Sequence, residues 1–197
     1  MSKSEQTRQH IIEQAAPVFN KYGYAGTSVS RLTRAINMTK GAIYGNFKDK
    51  DDIALAAFDF NMEKITRKIA RIIGSDTEAC EKLIYFANFY LDEFTAIAAS
   101  GGCPVLNAAV DSDHVHPRLK ACVNAAVDKW VAAVAGVVRQ GIRQGQISGS
   151  IKPEQFASIF VSLIEGGMML AKVTGNTIHL SRNIDHIIHL VNTELRI

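Results

Sequence analysis

The sequence predicts an all-α protein of about nine helices, with an N-terminal three-helix module ahead of a larger helical body. Apolar residues recur at helical spacing almost throughout, and almost nothing alternates with period two over a useful length. Hydrophobic residues make up 47 % of the 197, enough to bury a sizeable core. Only four prolines occur. Pro104, Pro117 and Pro153 fall where a helix would start or stop, which leaves long uninterrupted segments between them.

The elements follow in order. Ile11, Ile12, Ala15, Ala16 and Phe19 form a stripe that ends at Gly23, a residue suited to a helix C-terminus. Thr27 or Ser28 can cap a second, short helix that runs to about Ala35 or Ile36. Thr39 can cap a third, carrying Ala42, Ile43 and Tyr44. Asp49, with Asp52 three residues on, opens a fourth over 49–73, whose stripe is Ile53, Ala57, Phe60, Ile65, Ile69 and Ile72. Beyond Gly74 the pattern predicts helices over roughly 76–99, 104–112, 117–144, 154–174 and 181–195.

No stretch reads as a membrane span. The best, Phe156 to Val173, is interrupted by Glu165 and Gly166-Gly167, and a buried helix explains it better. The first residues are polar and lack the apolar core of a signal peptide. Cys80, Cys103 and Cys122 form no disulfide framework, and the chain reads as cytoplasmic. The net charge of +3 hides an asymmetry. Residues 1–50 hold eight basic groups against three acids, whereas the remainder has a small acidic excess. A basic front on a near-neutral body suggests that the front meets a polyanion.

The segments Ser28–Ile36 and Thr39–Gly45 have the dimensions of a helix-turn-helix. Asn37, the non-glycine residue that best tolerates positive φ, can reverse the chain between them. Leu32, Ile36, Met38 and Ile43 can pack the inside of this corner, leaving Lys40, Gly41 and Tyr44 outward.

The string Thr39-Lys40-Gly41-Ala42-Ile43-Tyr44, followed by Asn46-Phe47 and Lys50, resembles the DNA-binding domain of the TetR family of bacterial regulators. The likeness is firmest over residues 8–60. Two departures stand out: Asn37 where the family usually has Gly, and Asn46 where it often has His. The resemblance implies a sequence-specific DNA-binding regulator, in its commonest mode a repressor released by a small-molecule inducer. It implies a helix-turn-helix domain over 1–50, with the fourth helix as link, and an effector-binding and dimerisation domain over 51–197. The Thr39–Gly45 helix would enter the major groove, with Lys40 reaching a base edge or phosphate and Gly41 letting the backbone approach. Tyr44, Asn46 and Lys50 would hold phosphates. Thr27 or Ser28 would seat another at a helix N-terminus.

One recognition helix covers too few base pairs, so a homodimer on a palindromic double-stranded operator is expected, with half-sites spaced about 34–36 Å or multiples of it. Phe156, Ile159, Phe160 and Leu163, with Gly166 and Gly167 for close approach and Ile184 and Ile188 on the last helix, supply the expected interface. In similar proteins these two helices pair with their symmetry mates as a four-helix bundle. The resemblance places an inducer cavity in the body, where Tyr85, Phe89, Cys103, Leu106, Trp130 and Met169 are candidate lining residues.

Gly101-Gly102-Cys103-Pro104 puts Cys103 at or beside a helix N-terminus, which would lower its pKa. An alternative reading is therefore a thiol sensor of oxidants or electrophiles. A second is a helical interaction module without specific DNA binding, and a third an activator or nucleoid-type binder. His114 and His116, and His186 and His189, read as surface or interface histidines rather than metal ligands. No phosphate loop, dinucleotide fingerprint, GxSxG or HExxH points to an enzyme, and no cofactor or membrane partner is expected.

Overall fold

The computed structural model describes residues 2–112 and 116–197; His114 lies outside them. Among the described residues ten α-helices account for the architecture. They are α1 (Lys3–Tyr22), α2 (Val29–Ile36), α3 (Lys40–Tyr44), α4 (Lys50–Ile73), α5 (Ala79–Asp92), α6 (Phe94–Ala99), α7 (Pro104–Ser112), α8 (Pro117–Arg143), α9 (Pro153–Thr174) and α10 (Ile178–Leu190). A π-helical turn, Val191–Leu195, continues α10. The only pairing of extended backbone among the described residues is an isolated bridge between Ile147 and Arg196.

Local chemistry sets most boundaries. Ser2 and Glu5 form a reciprocal capping box at the start of α1. Pro104, Pro117 and Pro153 each open a helix, where the missing N–H costs nothing. Asn37 adopts φ 57°, ψ 42°, and closes α2 in the left-handed region. Asp49 accepts the Asp52 N–H at 2.9 Å and caps α4. The 76–99 segment is two helices, α5 and α6, rather than one. Glu93 turns out of the helical region there (φ −91°, ψ 0°), and Lys68 grips its carboxylate at 2.7 Å. No glycine or proline marks this break, so a local reading misses it.

The chain divides into two compact units. The first comprises Met1–Ile65 and Ala99–Ala125, the second Thr66–Ala98 and Ala126–Ile197. In the first, Ile11, Ala15, Ala16, Phe19, Leu32, Ile36, Ile43, Phe47, Ile53 and Ala57 form one core joining α1, α2, α3 and the start of α4. A polar clamp fastens the 100–111 segment to α1. Asn20 Nδ2 donates to the carbonyls of Ser100 (2.8 Å) and Gly102 (2.9 Å). Asn107 Nδ2 donates to the carbonyls of Asn20 and Gly101, both at 2.9 Å. Asp111 accepts the Tyr24 N–H. Gly23, at φ 69°, lies so close beneath that a Cβ would stand 2.8 Å from the Asp111 carboxylate.

In the second unit Leu83, Phe86, Tyr90, Val134, Val138, Phe160, Ile164, Leu180, Ile184 and Ile187 are buried. Helices α9 and α10 pack at close range: a Cβ on Gly167 would lie 3.0 Å from the Leu180 Cα. Asn183 Nδ2 ties the pair by donating to the Leu163 carbonyl at 2.8 Å. By length and composition α8 and α9 could each cross a membrane, contrary to the expectation that no stretch qualifies. Their apolar residues instead supply much of this core.

Candidate nucleic-acid interface and ligand cavity

Helices α2 and α3 meet at the Asn37 turn, and their inner faces disappear into the core through Leu32, Ile36 and Ile43. What remains outward is basic and polar. Lys40 and Gly41 are exposed, and among the described residues nothing lies within 4 Å of where a Gly41 Cβ would be. A surface could therefore approach the α3 backbone closely. Thr39 caps α3 by accepting the Ala42 N–H at 3.2 Å. Ser28 caps α2 in the same way, accepting the Arg31 N–H at 3.2 Å, and stays exposed.

Thr27 leaves the candidate set. Its side chain is fully buried, and its hydroxyl donates to the Gly23 carbonyl at 2.6 Å, so it braces the loop before α2 and Ser28 alone takes the cap. Tyr44 is half-buried against the core; burial, then the Asp49 carboxylate, raises its hydroxyl pKa. Asn46 donates Nδ2 to the Ala42 carbonyl at 2.9 Å, which uses one of the two amide protons. Lys50 is half-buried, its ammonium 4.1 Å from the centre of the Tyr24 ring. Burial lowers its pKa, opposed by the Asp111 and Asp51 carboxylates. In this arrangement it anchors the start of α4.

Two arginines escaped the sequence reading. Arg8 lies 3.9 Å over the Phe47 ring and donates to the Asn46 carbonyl at 2.8 Å, fixing the chain that leaves α3. Arg31 lies 3.8 Å over Tyr22 on the exposed side of α2. A basic residue stacked on an aromatic at tertiary range leaves no spacing signal. Nor does Tyr24, whose hydroxyl donates to Asp51 and whose pKa is pushed up to about 12 by that bond, burial and the Asp51 charge. His116 is buried rather than a surface residue. Its Nδ1 accepts the Leu119 N–H at 3.1 Å, capping α8. His186 and His189 stack with ring centres 6.4 Å apart.

The six candidate cavity residues are divided between the two units. Cys103 and Leu106 belong to the first unit and the other four to the second. Tyr85 and Met169 are 49 % and 44 % exposed, because they point away from the core stripe of their helices. The second unit does hold a small pocket, with room for about one water, lined by Phe86, Tyr90, Trp130, Val161, Ile164 and Glu165. Trp130 alone among the six lines it; Phe89 packs edge-on against Tyr90, 5.1 Å between ring centres. The first unit holds a larger cleft whose walls include Tyr24, Ala54, Phe58, Asn61 and Asp111.

Cys103 does precede the first turn of α7, its carbonyl accepting the Asn107 N–H at 3.1 Å. It is only 2 % exposed, however, and that burial withholds the sulfur from oxidants in solvent.

The expected interface residues also separate. Phe160, Gly167 and Ile184 are buried within the protomer, since the α5 and α10 sides of α9 take up one face. Phe160 meets Phe86 edge-on at 5.3 Å. Phe156, Leu163, Gly166 and Ile188 are half-buried. Ile159 is exposed, as are Met169, Leu170 and Val173. Ile159, Leu163, Gly166, Leu170 and Val173 follow one another at steps of three or four and share one outer face of α9.

Comparison with known proteins agrees with this architecture. Residues 11–57 match the model of bacterial regulatory proteins of the tetR family. Residues 79–187 match the tetracyclin repressor-like C-terminal domain. The crystal structure of a TetR transcriptional regulator from Chloroflexus aurantiacus aligns over 100 % of both chains, with TM-score 0.94 and 31 % identity. A TetR-family regulator from Cytophaga hutchinsonii gives TM-score 0.93 and 32 % identity over 99 % of this chain and 98 % of that one. The HTH-type transcriptional regulator LmrA of Bacillus subtilis is 28 % identical over 180 residues, 89 % of this chain and 93 % of the relative. Matched at both ends and along its length, the chain belongs to the TetR family of bacterial transcriptional regulators, with an N-terminal helix-turn-helix and a C-terminal helical domain.

Proposed function

We propose that the protein is a cytoplasmic repressor that binds a palindromic operator as a homodimer and is released by a small molecule held in its second unit. It acts by binding and not by catalysis. The observation that carries the reading is the open face of α3, where exposed Lys40 stands beside a Gly41 with free space above its Cα. Such a face lets the helix axis come close to base edges while Lys40 donates to guanine or phosphate. Ser28, at the N-terminus of the eight-residue α2, adds a hydroxyl and backbone donors for a phosphate. Tyr44 and the remaining amide proton of Asn46 are placed for two more. Lys50 and Arg8 hold the helix ends in register. Repression is favoured by a relative of comparable length, the HTH-type transcriptional repressor DhaR of a Mycobacterium species, 22 % identical over 86 % of this chain.

Dimerisation through the outer face of α9 would remove its exposed aliphatic stripe from water. Release requires a ligand that favours the state unable to bind DNA.

The test is binding of the purified protein to DNA upstream of its own gene against scrambled DNA of equal length, near physiological salt. Tyr44→Ala should weaken binding to every sequence, and Lys40→Ala should also relax preference at one position. If both variants bind the operator like the parent, α3 is not the reading helix.

A further inference from the structure

The end of α1 and the start of α2 carry a basic and aromatic surface that lies outside α3. Tyr22, the last residue of α1, is 43 % exposed. The Arg31 guanidinium lies 3.8 Å over its ring, and the Lys21 ammonium stands 5.4 Å from the same ring centre. Both cations are exposed, and among the described residues neither has a carboxylate partner. Helix stability does not account for Arg31. It stands in the first turn of α2, which holds no acidic residue, and a positive charge beside the positive end of a helix is unfavourable. Stacking on Tyr22 restrains its long side chain and leaves the guanidinium N–H groups to donate outward. The patch adjoins Ser28, whose Oγ accepts the Arg31 N–H at 3.2 Å and lies 3.0 Å from the Ser30 Oγ.

We propose that Arg31, held on the Tyr22 ring and joined by Lys21, grips the DNA phosphate backbone beside the groove that α3 enters. The proposal rests on reading α2 and α3 as a DNA-binding helix-turn-helix. In that motif the first helix crosses the backbone while the second lies in the major groove, so charges at the start of α2 meet phosphates rather than bases. A guanidinium matches a phosphate with two parallel hydrogen bonds, and an ammonium adds a point charge. Tyr22 is the positioning residue, since its ring sets where the guanidinium stands. Such a contact adds affinity and fixes the register of the protein on the duplex, but reads no sequence. An acidic protein surface would answer the two cations alone; a nucleic-acid backbone answers them together with Ser28 and the α3 face.

Phosphate contacts are indifferent to sequence, so the measurement works on any duplex. Binding of the full-length protein to the DNA upstream of its own gene, and to an unrelated duplex of equal length, is followed by fluorescence anisotropy from about 50 to 200 mM salt. Arg31→Gln should weaken both complexes by the same factor and flatten the slope of log affinity against log salt by about 0.9 for each bound protomer. Adding Lys21→Gln should bring that loss of slope to about 1.8. Tyr22→Leu keeps both charges, so affinity should fall while the slope stays that of the parent. Tyr22→Phe keeps the ring and should bind like the parent. Lys129→Gln removes an exposed charge of the second unit and should leave the slope unchanged. Thermal melting checks that each variant is folded.

A folded Arg31→Gln protein with the parent's slope would overturn the proposal. So would an equal flattening by Lys129→Gln, which would make the effect one of overall charge. A changed preference for upstream over unrelated DNA in Arg31→Gln would make the residue a base reader and overturn the backbone assignment. Lys40→Ala and Tyr44→Ala, measured alongside, separate the two levels. If they weaken binding and Arg31→Gln does not, the helix-turn-helix stands and the phosphate grip is removed. If none of the three changes binding, the reading of α3 falls, and the grip with it.

Discussion

Replacing Gly167 by alanine would place a Cβ 3.0 Å from both Cα and Cδ1 of Leu180 and 3.3 Å from the Asn183 Nδ2. Leu180 is fully buried and Asn183 is tied to the Leu163 carbonyl, so neither can move aside freely. Overpacking of this kind costs about 1–3 kcal/mol. Against it stands the helical preference of alanine over glycine, about 0.8–1.0 kcal/mol. The net expectation is a loss of about 0–2 kcal/mol.

Gly166 is the internal control. Among the described residues nothing lies within 4 Å of its Cβ position, so Gly166→Ala keeps the full helical gain, and the two variants should differ by about 1–3 kcal/mol. The assay is urea unfolding followed by circular dichroism at one fixed protein concentration, because association adds to apparent stability. Gly167→Ala proving as stable as Gly166→Ala would refute the close α9–α10 contact. Sedimentation equilibrium on Gly166→Ala adds a second reading: weakened association in a folded protein places Gly166 inside the dimer contact.

Leu170→Glu combined with Val173→Glu should leave the fold intact and shift the protein toward monomer in sedimentation, since Val173 is 80 % exposed in the protomer; an unchanged dimer would place the interface elsewhere. Phe160→Ala should cost about 3–5 kcal/mol in urea unfolding, and a loss below 1 kcal/mol would mean the α5–α9 core is loose. Thr39→Ala removes the α3 cap and should cost about 1 kcal/mol together with operator affinity, checked by unfolding and gel shift. Tyr24, whose pKa is pushed up to about 12 from an ordinary 10.0, should contribute a titration step near pH 12 in an ultraviolet titration. Because its folded pKa is raised, its contribution to stability is complete below pH 10 and is lost as pH rises through 12. Tyr24→Phe should abolish that step.

The features legible in the sequence are those that one short segment decides. Asn37 at the turn, Asp49 capping α4 and proline at the head of α7, α8 and α9 each act within a few residues, so spacing and residue type suffice. Thr27 shows the limit, because neighbouring hydroxyls compete for one cap and only the loop geometry assigns it to Ser28. The α9 stripe shows another: the helix is apolar on more than one face, so periodicity could not separate core Phe160 and Gly167 from outward Ile159 and Gly166. The cavity residues scattered for the same reason, since Tyr85 and Phe86 are adjacent yet face opposite ways. Cys103 was placed correctly along the chain, but its burial depends on packing that no local pattern encodes.

The bonds from Asn20 to Ser100 and Gly102 span 80 and 82 residues, and that from Tyr24 to Asp111 spans 87. The clamp on α1 therefore closes only after residue 111 has been synthesised. On the ribosome, at about 5–20 residues per second, α1 waits several seconds for its clamp. A fragment ending at residue 65 would retain the recognition helix but lack the partners of Asn20 and Tyr24. Such a fragment would keep the core of α1 to α4 and leave the Asn20 amide and the Tyr24 N–H to water.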